Sequence, residues 1–341
     1  MNIDRFHTHP SPADARSKRS AAGPVLAVSA VALAATALFV RHKARKAERE
    51  HPPAGRFLTV DGVRLHYVDT GGDGPVVVLL HGNGAMIADM EISGLIDQAS
   101  ATCRVIVFDR PGYGHSDRPR STVWTPEAQA DLFSKAFARL GIRRPIVVGH
   151  SWGTLVALAL AFDHPNEVGG LVLVSGYYFP TARIDVALFS APAIPVLGDV
   201  MRYTISPLIG RAIAPSLLRR IFAPRPVTAR FDREFPVELA LRPSQIRASA
   251  EETALMIPAA TRFKEHYRDL RLPVVIMTGA GDRITDVQRQ AVRLHHAIPQ
   301  SDLRVVPGFG HMLHHFAAAQ IVDAIGTVAA RAKPPMAANA V

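Results

Sequence analysis

The sequence predicts an α/β chain: a mainly parallel sheet with helices on both faces, an inserted helical cap, and a membrane-spanning helix ahead of it. Three observations lead there. From residue 75 onward, short continuous apolar runs alternate with helical stretches, the pattern of strands buried on both faces. Between Tyr178 and Thr261 that alternation stops, and ten of the chain's 26 prolines accumulate. Residues 21–40 form an unbroken run of twenty uncharged residues.

In chain order, a basic segment over residues 1–20 leads into residues 21–40 (AAGPVLAVSAVALAATALFV). As a helix this run is long enough to cross the roughly 30 Å hydrocarbon layer. Arg16, Lys18 and Arg19 precede it, and Arg41, Lys43, Arg45 and Lys46 follow. Ala35-Thr36-Ala37 offers the small-residue pattern of a signal-peptide cut site, so export after cleavage is the alternative. The long leading segment, and the lack of a polar region before that site, favour an uncleaved single-pass anchor. Four Lys/Arg before the span against five between Arg41 and Arg49 put the catalytic part on the cytoplasmic side. Residues 41–55, charged and then proline-bearing, read as a linker.

From Arg56 the pattern is that of strands. Phe57–Val60 and Val63–Val68 flank Asp61-Gly62, a strong hairpin signal that supplies an antiparallel edge. Buried-strand runs follow at 76–80, Val105–Phe108, Ile146–Val148, Leu171–Val174, Val274–Met277 and Leu303–Val306. Helical patterns lie at Pro126–Leu140, Trp152–Phe162 and Asp286–His296. Residues 56–177 and 262–332 thus form two parts of one core. Residues 178–261, too long for a plain loop, form a cap of short helical pieces such as Ser216–Phe222. Residues 333–341 (KPPMAANAV) read as a disordered tail.

Composition removes several function classes. Of 341 residues, 48% are hydrophobic and 20% charged, too apolar for a disordered chain and too polar for a multi-span membrane protein. With Cys103 alone, neither an intrachain disulfide nor a cysteine-based metal site can form. The net charge of +10 is confined to residues 1–51 and 178–250, which carry +5 each. No basic block is interleaved with stacking aromatics, so no nucleic-acid partner is expected. The arginines suit a solvated surface near anionic lipid.

Gly149-His150-Ser151-Trp152-Gly153 lies between a buried strand and an apolar helix, the context a nucleophile elbow needs. The flanking glycines relieve crowding while the chain turns sharply and exposes the Ser151 hydroxyl. The backbone N–H of Trp152, at the helix start, can donate to a developing oxyanion. A serine hydroxyl needs a base, and the base needs a group to fix its tautomer. Thr278-Gly-Ala-Gly-Asp282 and Pro307-Gly-Phe-Gly-His311 each follow a strand and turn at its C-terminal end, where open α/β sheets carry their sites. Ser151 is therefore assigned as nucleophile, His311 as base and then acid, and Asp282 as the group that orients His311. Asp286 is the reserve acid, and His314 or His315 the reserve base. His150 reads as a packing residue and Asp109 as a turn stabiliser. In His81-Gly82-Asn83-Gly84, after the third strand, the Asn83 N–H is the second oxyanion donor. No cofactor or metal is called for.

Together, His81-Gly-Asn-Gly, Asp109-Arg-Pro-Gly-Tyr-Gly-His-Ser-Asp, Gly149-His-Ser-Trp-Gly, Gly281-Asp282 and Gly308-Phe-Gly-His311 resemble the α/β-hydrolase superfamily over roughly Arg56–Ala330. The resemblance implies an eight-stranded, mostly parallel sheet with a cap. The arrangement is similar to the branch of esterases, epoxide hydrolases, haloalkane dehalogenases, cofactor-free haloperoxidases and carbon-carbon bond hydrolases. Epoxide and haloalkane hydrolysis on this fold need a carboxylate nucleophile, because water then cleaves an ester, whereas serine would leave an ether. Ser151 thus points to acyl chemistry on a small-molecule ester or related acyl substrate, lipid-derived esters included. Acyl transfer, perhydrolysis and carbon-carbon hydrolysis use the same residues, and a non-catalytic ligand-binding protein of this fold is the alternative from another class.

Overall fold

The computed structural model describes residues 22–332. Residues 1–21 and 333–341, which hold the expected basic segment and tail, lie outside them. β1 (Arg56–Val60) and β2 (Val63–Asp69) pair antiparallel across Asp61-Gly62. Both turn residues have positive φ, 49° and 79°, the two-residue geometry whose twist matches the flanking strands. β3 (Val76–Leu80), β4 (Arg104–Phe108), β5 (Ile146–His150), β6 (Gly170–Val174), β7 (Val274–Gly279) and β8 (Asp302–Val306) run parallel to one another. The eight strands lie in the order β1-β2-β4-β3-β5-β6-β7-β8. Order reverses around β3, so β3 and β5 are neighbours at the middle of the sheet and their C-terminal ends open onto one crevice.

Every residue of β5 and β6 is buried, which explains why these strands read as continuous apolar runs rather than alternating ones. Between β3 and β4 lie α2 (Ile87–Ile92) and α3 (Leu95–Ser100), and between β4 and β5 lies α4 (Pro126–Leu140). Thr125 caps α4 by accepting from Ala128 N at 3.2 Å, Pro126 fills its first position, and Gly141 at φ 65° ends it. α5 (Gly153–Asp163) packs on α4 and the sheet, and is buried from Gly153 to Ala161. Its composition, apolar all round, is what such a position demands. On the other face, α13 (Ala318–Arg331) buries Ile321, Ala324, Ile325 and Val328, spaced as one helical stripe. The short α12 (Arg293–Ala297) follows a π-helical stretch at Gln288–Val292, where the sequence predicts one continuous helix.

The cap comprises α6 (Ile184–Ser190), α7 (Leu197–Tyr203), α8 (Ile205–Phe222), α9 (Ala229–Glu234), α10 (Val237–Ala240) and α11 (Pro243–Phe263). Two of these are longer than the proline density suggests. Pro215 lies inside α8 and Pro258 inside α11, each removing one N–H from the ladder without ending the helix. α11 also runs two residues past the expected cap boundary at Thr261.

The expected linker over residues 41–55 is a correction. α1 spans Ala22–Glu50, so the helix continues ten residues beyond the expected end of the apolar run. Arg41–Glu50 contains neither Pro nor Gly and is rich in good helix formers. Ala47 is buried against Leu239, and Arg242 reaches Glu48 at 2.8 Å, so packing on the cap holds this half in place. The helix stops just before His51-Pro52-Pro53, where proline disfavours its continuation.

Candidate active site

β5 delivers Ser151 from the middle of the sheet. Its φ is +51°, a left-handed conformation that non-glycine residues avoid, and its N–H donates to Val174 O at 2.9 Å. The turn is tight enough that both flanking glycines are required. A Cβ on Gly149 would meet Gly153 O at 2.6 Å, and one on Gly153 would meet His81 O at 2.7 Å. The loop after β3 lies directly against the nucleophile, since a Cβ on Gly82 would come 3.1 Å from Ser151 Cβ.

His311 and Asp282 arrive from turns beyond β8 and β7. His311 Nε2 is 3.0 Å from Ser151 Oγ, and His311 Nδ1 is 2.9 Å from Asp282 Oδ2. Asp282 has no exposed side-chain surface. Its Oδ1 accepts from the N–H groups of Ile284 (2.7 Å) and Thr285 (3.0 Å), and its Oδ2 accepts from Thr285 Oγ1 at 2.8 Å. Burial alone would raise this carboxyl's pKa, but His311 and the donors of residues 284 and 285 hold it below its ordinary value. The structure therefore brings Ser151, His311 and Asp282 into one hydrogen-bonded chain. Among the described residues, neither the Asn83 N–H nor the Trp152 N–H is spent on a protein acceptor.

The reserve residues lie elsewhere. His150 Nε2 donates to His311 O at 3.0 Å, which steadies the base, while its Nδ1 finds no partner among the described residues. Burial, together with His314 and His311 nearby, keeps His150 neutral by pushing its pKa well down. Asp109 accepts from Ile87 N (2.8 Å) and His115 N (2.9 Å), as a turn stabiliser does. Asp286 accepts from Arg289 N at 2.8 Å. His314 and His315 point to opposite oxygens of Asp89, at 3.0 and 2.8 Å. Asp89, His314 and His315 are the one group among the described residues whose ligand atoms lie close enough to share a metal ion. Both carboxylate oxygens are already taken by imidazoles, and those imidazoles hold Asp89 well below its ordinary pKa against the effect of burial. The trio ties the turn after His311 to α2, which follows the loop of Asn83.

A second buried network, absent from the sequence reading, holds the Asn83 loop from the cap side. Arg110 and Glu252, from α11, are both fully buried and paired through Nη1–Oε1 at 2.5 Å and Nη2–Oε2 at 3.0 Å. Arg110 also donates to His81 O (2.8 Å) and Gly82 O (3.1 Å), fixing the carbonyls that precede Asn83. Tyr113 OH is 2.6 Å from Glu252 Oε2 and 2.9 Å from Asn83 Oδ1, and Trp152 Nε1 donates to Glu252 O at 3.0 Å. Burial and Glu252 push the Tyr113 pKa well up, so it stays a donor. Burial and the charge of Arg110 push His81 down to about 4, so its Nε2 stays free to accept from Arg110 N at 3.0 Å. Glu252 thus binds Trp152 directly and reaches the Asn83 loop through Arg110 and Tyr113.

A family model described as alpha/beta hydrolase fold matches residues 75–318. The chain belongs to the α/β-hydrolase family. It is 28% identical over 285 residues, 80% of each chain, to an uncharacterized protein of Mycobacterium tuberculosis. It is 29% identical over 249 residues to a haloalkane dehalogenase of Mycolicibacterium paratuberculosis, covering 69% of this chain and 79% of that one. Among solved structures, a thermophilic esterase from Thermogutta terrifontis superposes with TM-score 0.63 at 22% identity, covering 80% of this chain and 97% of the other. A bacterial membrane phospholipase A superposes with TM-score 0.62 at 19% identity, covering 91% of this chain and 94% of the other. At these identities the superpositions show a shared fold. The family and its relatives make this α/β-hydrolase a hydrolase; neither the bond cleaved nor the nucleophile follows from them.

Proposed function

We propose that this α/β-hydrolase is a membrane-anchored serine hydrolase that cleaves carboxylic esters with lipid-derived acyl groups. The observation that carries the reading is the chain from Ser151 Oγ through His311 to Asp282, with contacts of 3.0 and 2.9 Å. In this reading His311 Nε2 takes the hydroxyl proton as Ser151 Oγ attacks the ester carbonyl. The N–H groups of Asn83 and Trp152 receive the oxyanion. Collapse expels the alcohol, protonated by His311, and leaves an acyl-serine that water, activated by the same imidazole, hydrolyses. Dehalogenase relatives do not change the reading, because Ser151 stands at the elbow where haloalkane chemistry needs a carboxylate.

Anchoring is supported by α1, which is apolar enough to span a bilayer. It runs as helix through Ala35-Thr36-Ala37 without a break into the half that packs on the cap. The coverage of the membrane phospholipase A, 91% of this chain, extends into α1. We place the catalytic part on the cytoplasmic side, following the charge balance around the span.

The test is a panel of p-nitrophenyl esters from acetate to palmitate, with phospholipid vesicles alongside, assayed with the detergent-solubilised full chain. Ester hydrolysis that peaks beyond butyrate, and fatty-acid release from the vesicles, are expected. Turnover of haloalkanes without turnover of any ester would overturn the proposal.

A further inference from the structure

The cap exposes an unusual amount of apolar surface beside α1. Residues 186–198 (VALFSAPAIPVLG) carry no charge, and within them Leu188 is 71% exposed and Val196 77% exposed. On α7, Val200 and Tyr203 are exposed in helical register. On α8, Ile205, Leu208, Ile209 and Ala212 form an exposed stripe at the same spacing. Contiguous apolar surface of this kind on a water-soluble face marks an interaction site.

Two further features say what covers it. α1 packs on α7 and α10, and Val40, the last residue of the apolar run, is buried, so the cap touches α1 at the level where the chain leaves the bilayer. The rim of the patch is basic. Arg219 and Arg220, in the last turn of α8, are exposed and carry no carboxylate partner among the described residues, whereas the arginines around the cavity of about 640 Å³ next to α7 are each ion-paired, Arg120 and Arg202 with Asp199, Arg118 and Arg247 with Glu251, Arg242 with Glu48 and Arg64 with Asp117.

We infer that the α6–α8 face of the cap docks on an anionic phospholipid bilayer, its apolar residues entering the headgroup and acyl boundary while Arg219 and Arg220 face lipid phosphates. The inference rests on reading α1 as a membrane anchor. It adds a second, peripheral contact that holds the cap against the surface from which lipid-derived esters would come.

The test uses the full chain in a Cys103→Ala background, reconstituted into phosphatidylglycerol/phosphatidylcholine vesicles with doxyl-labelled lipids. Bimane is attached at Leu188→Cys or Val200→Cys on the cap, at Leu33→Cys on α1, or at Asp73→Cys on the opposite edge of the sheet. Quenching of at least twofold at 188, 200 and 33, with none at 73, is expected. Quenching at 33 but not at 188 or 200 would overturn the docking and leave the anchor standing. Absence of quenching at all four would overturn the anchor as well. Replacing phosphatidylglycerol by phosphatidylcholine is expected to reduce quenching at 188 and 200 severalfold without changing position 33, and equal quenching in both lipids would overturn the role of the arginines.

Discussion

Asp282→Asn is expected to fold like the parent and to lose kcat by about 10⁴-fold, the scale seen when a triad carboxylate becomes an amide. The local geometry gives the reason. Ile284 N and Thr285 N both donate to Asp282 Oδ1, so the amide oxygen of the variant takes that place and its NH₂ turns toward His311 Nδ1. Nδ1 must then accept, its proton moves to Nε2, and Ser151 Oγ loses the lone pair it needs. Because the native carboxyl is held below its ordinary pKa, its interactions contribute stability above the unfolded value of about 3.9 and lose it as pH falls through the folded value. The variant lacks that acid-side dependence. Steady-state kinetics with far-UV circular dichroism on the same samples checks both parts, and near-parental kcat would move the acid elsewhere, with Asp286 next in line.

Glu252→Gln is expected to cost about 3–5 kcal/mol of stability, since it keeps the shape of the side chain but leaves Arg110 buried without a counter-charge. The readout is a lower urea midpoint at unchanged slope. The double variant Arg110→Met with Glu252→Met removes both charges and is expected to recover most of the stability, because a buried ion pair roughly breaks even against apolar packing. It is not expected to recover turnover, since Arg110 also fixes His81 O and Gly82 O ahead of Asn83. A Glu252→Gln midpoint within about 0.5 kcal/mol of the parent would show that water or another group compensates Arg110.

The sheet and the three residues at its C-terminal edge were legible because each signal is local. A buried strand followed by a glycine-rich turn announces Ser151, Asp282 and His311 separately, and their chain order suggests that they meet. The Asn83 loop was legible for the same reason. Arg110 and Glu252 were not, because 142 residues separate them and each looks alone like a surface charge. Asp89 and the His314-His315 pair are 225 and 226 residues apart and were equally silent. Proline misled at Pro215 and Pro258, where the rule that it breaks helices overrode spacing that continues on both sides. Charge misleads over Arg41–Glu50, where helix-forming residues read as a linker because the face that packs on Leu239 of the cap contributes little more than Ala47.

Mass spectrometry of the full chain after exposure to a serine-directed fluorophosphonate tests the central claim most directly. One equivalent of phosphonate on the peptide containing Ser151, absent after heat denaturation and absent in Ser151→Ala, is the result expected of a hydroxyl activated by His311. A folded parent chain that takes up no phosphonate, or takes it up equally in Ser151→Ala, would contradict it.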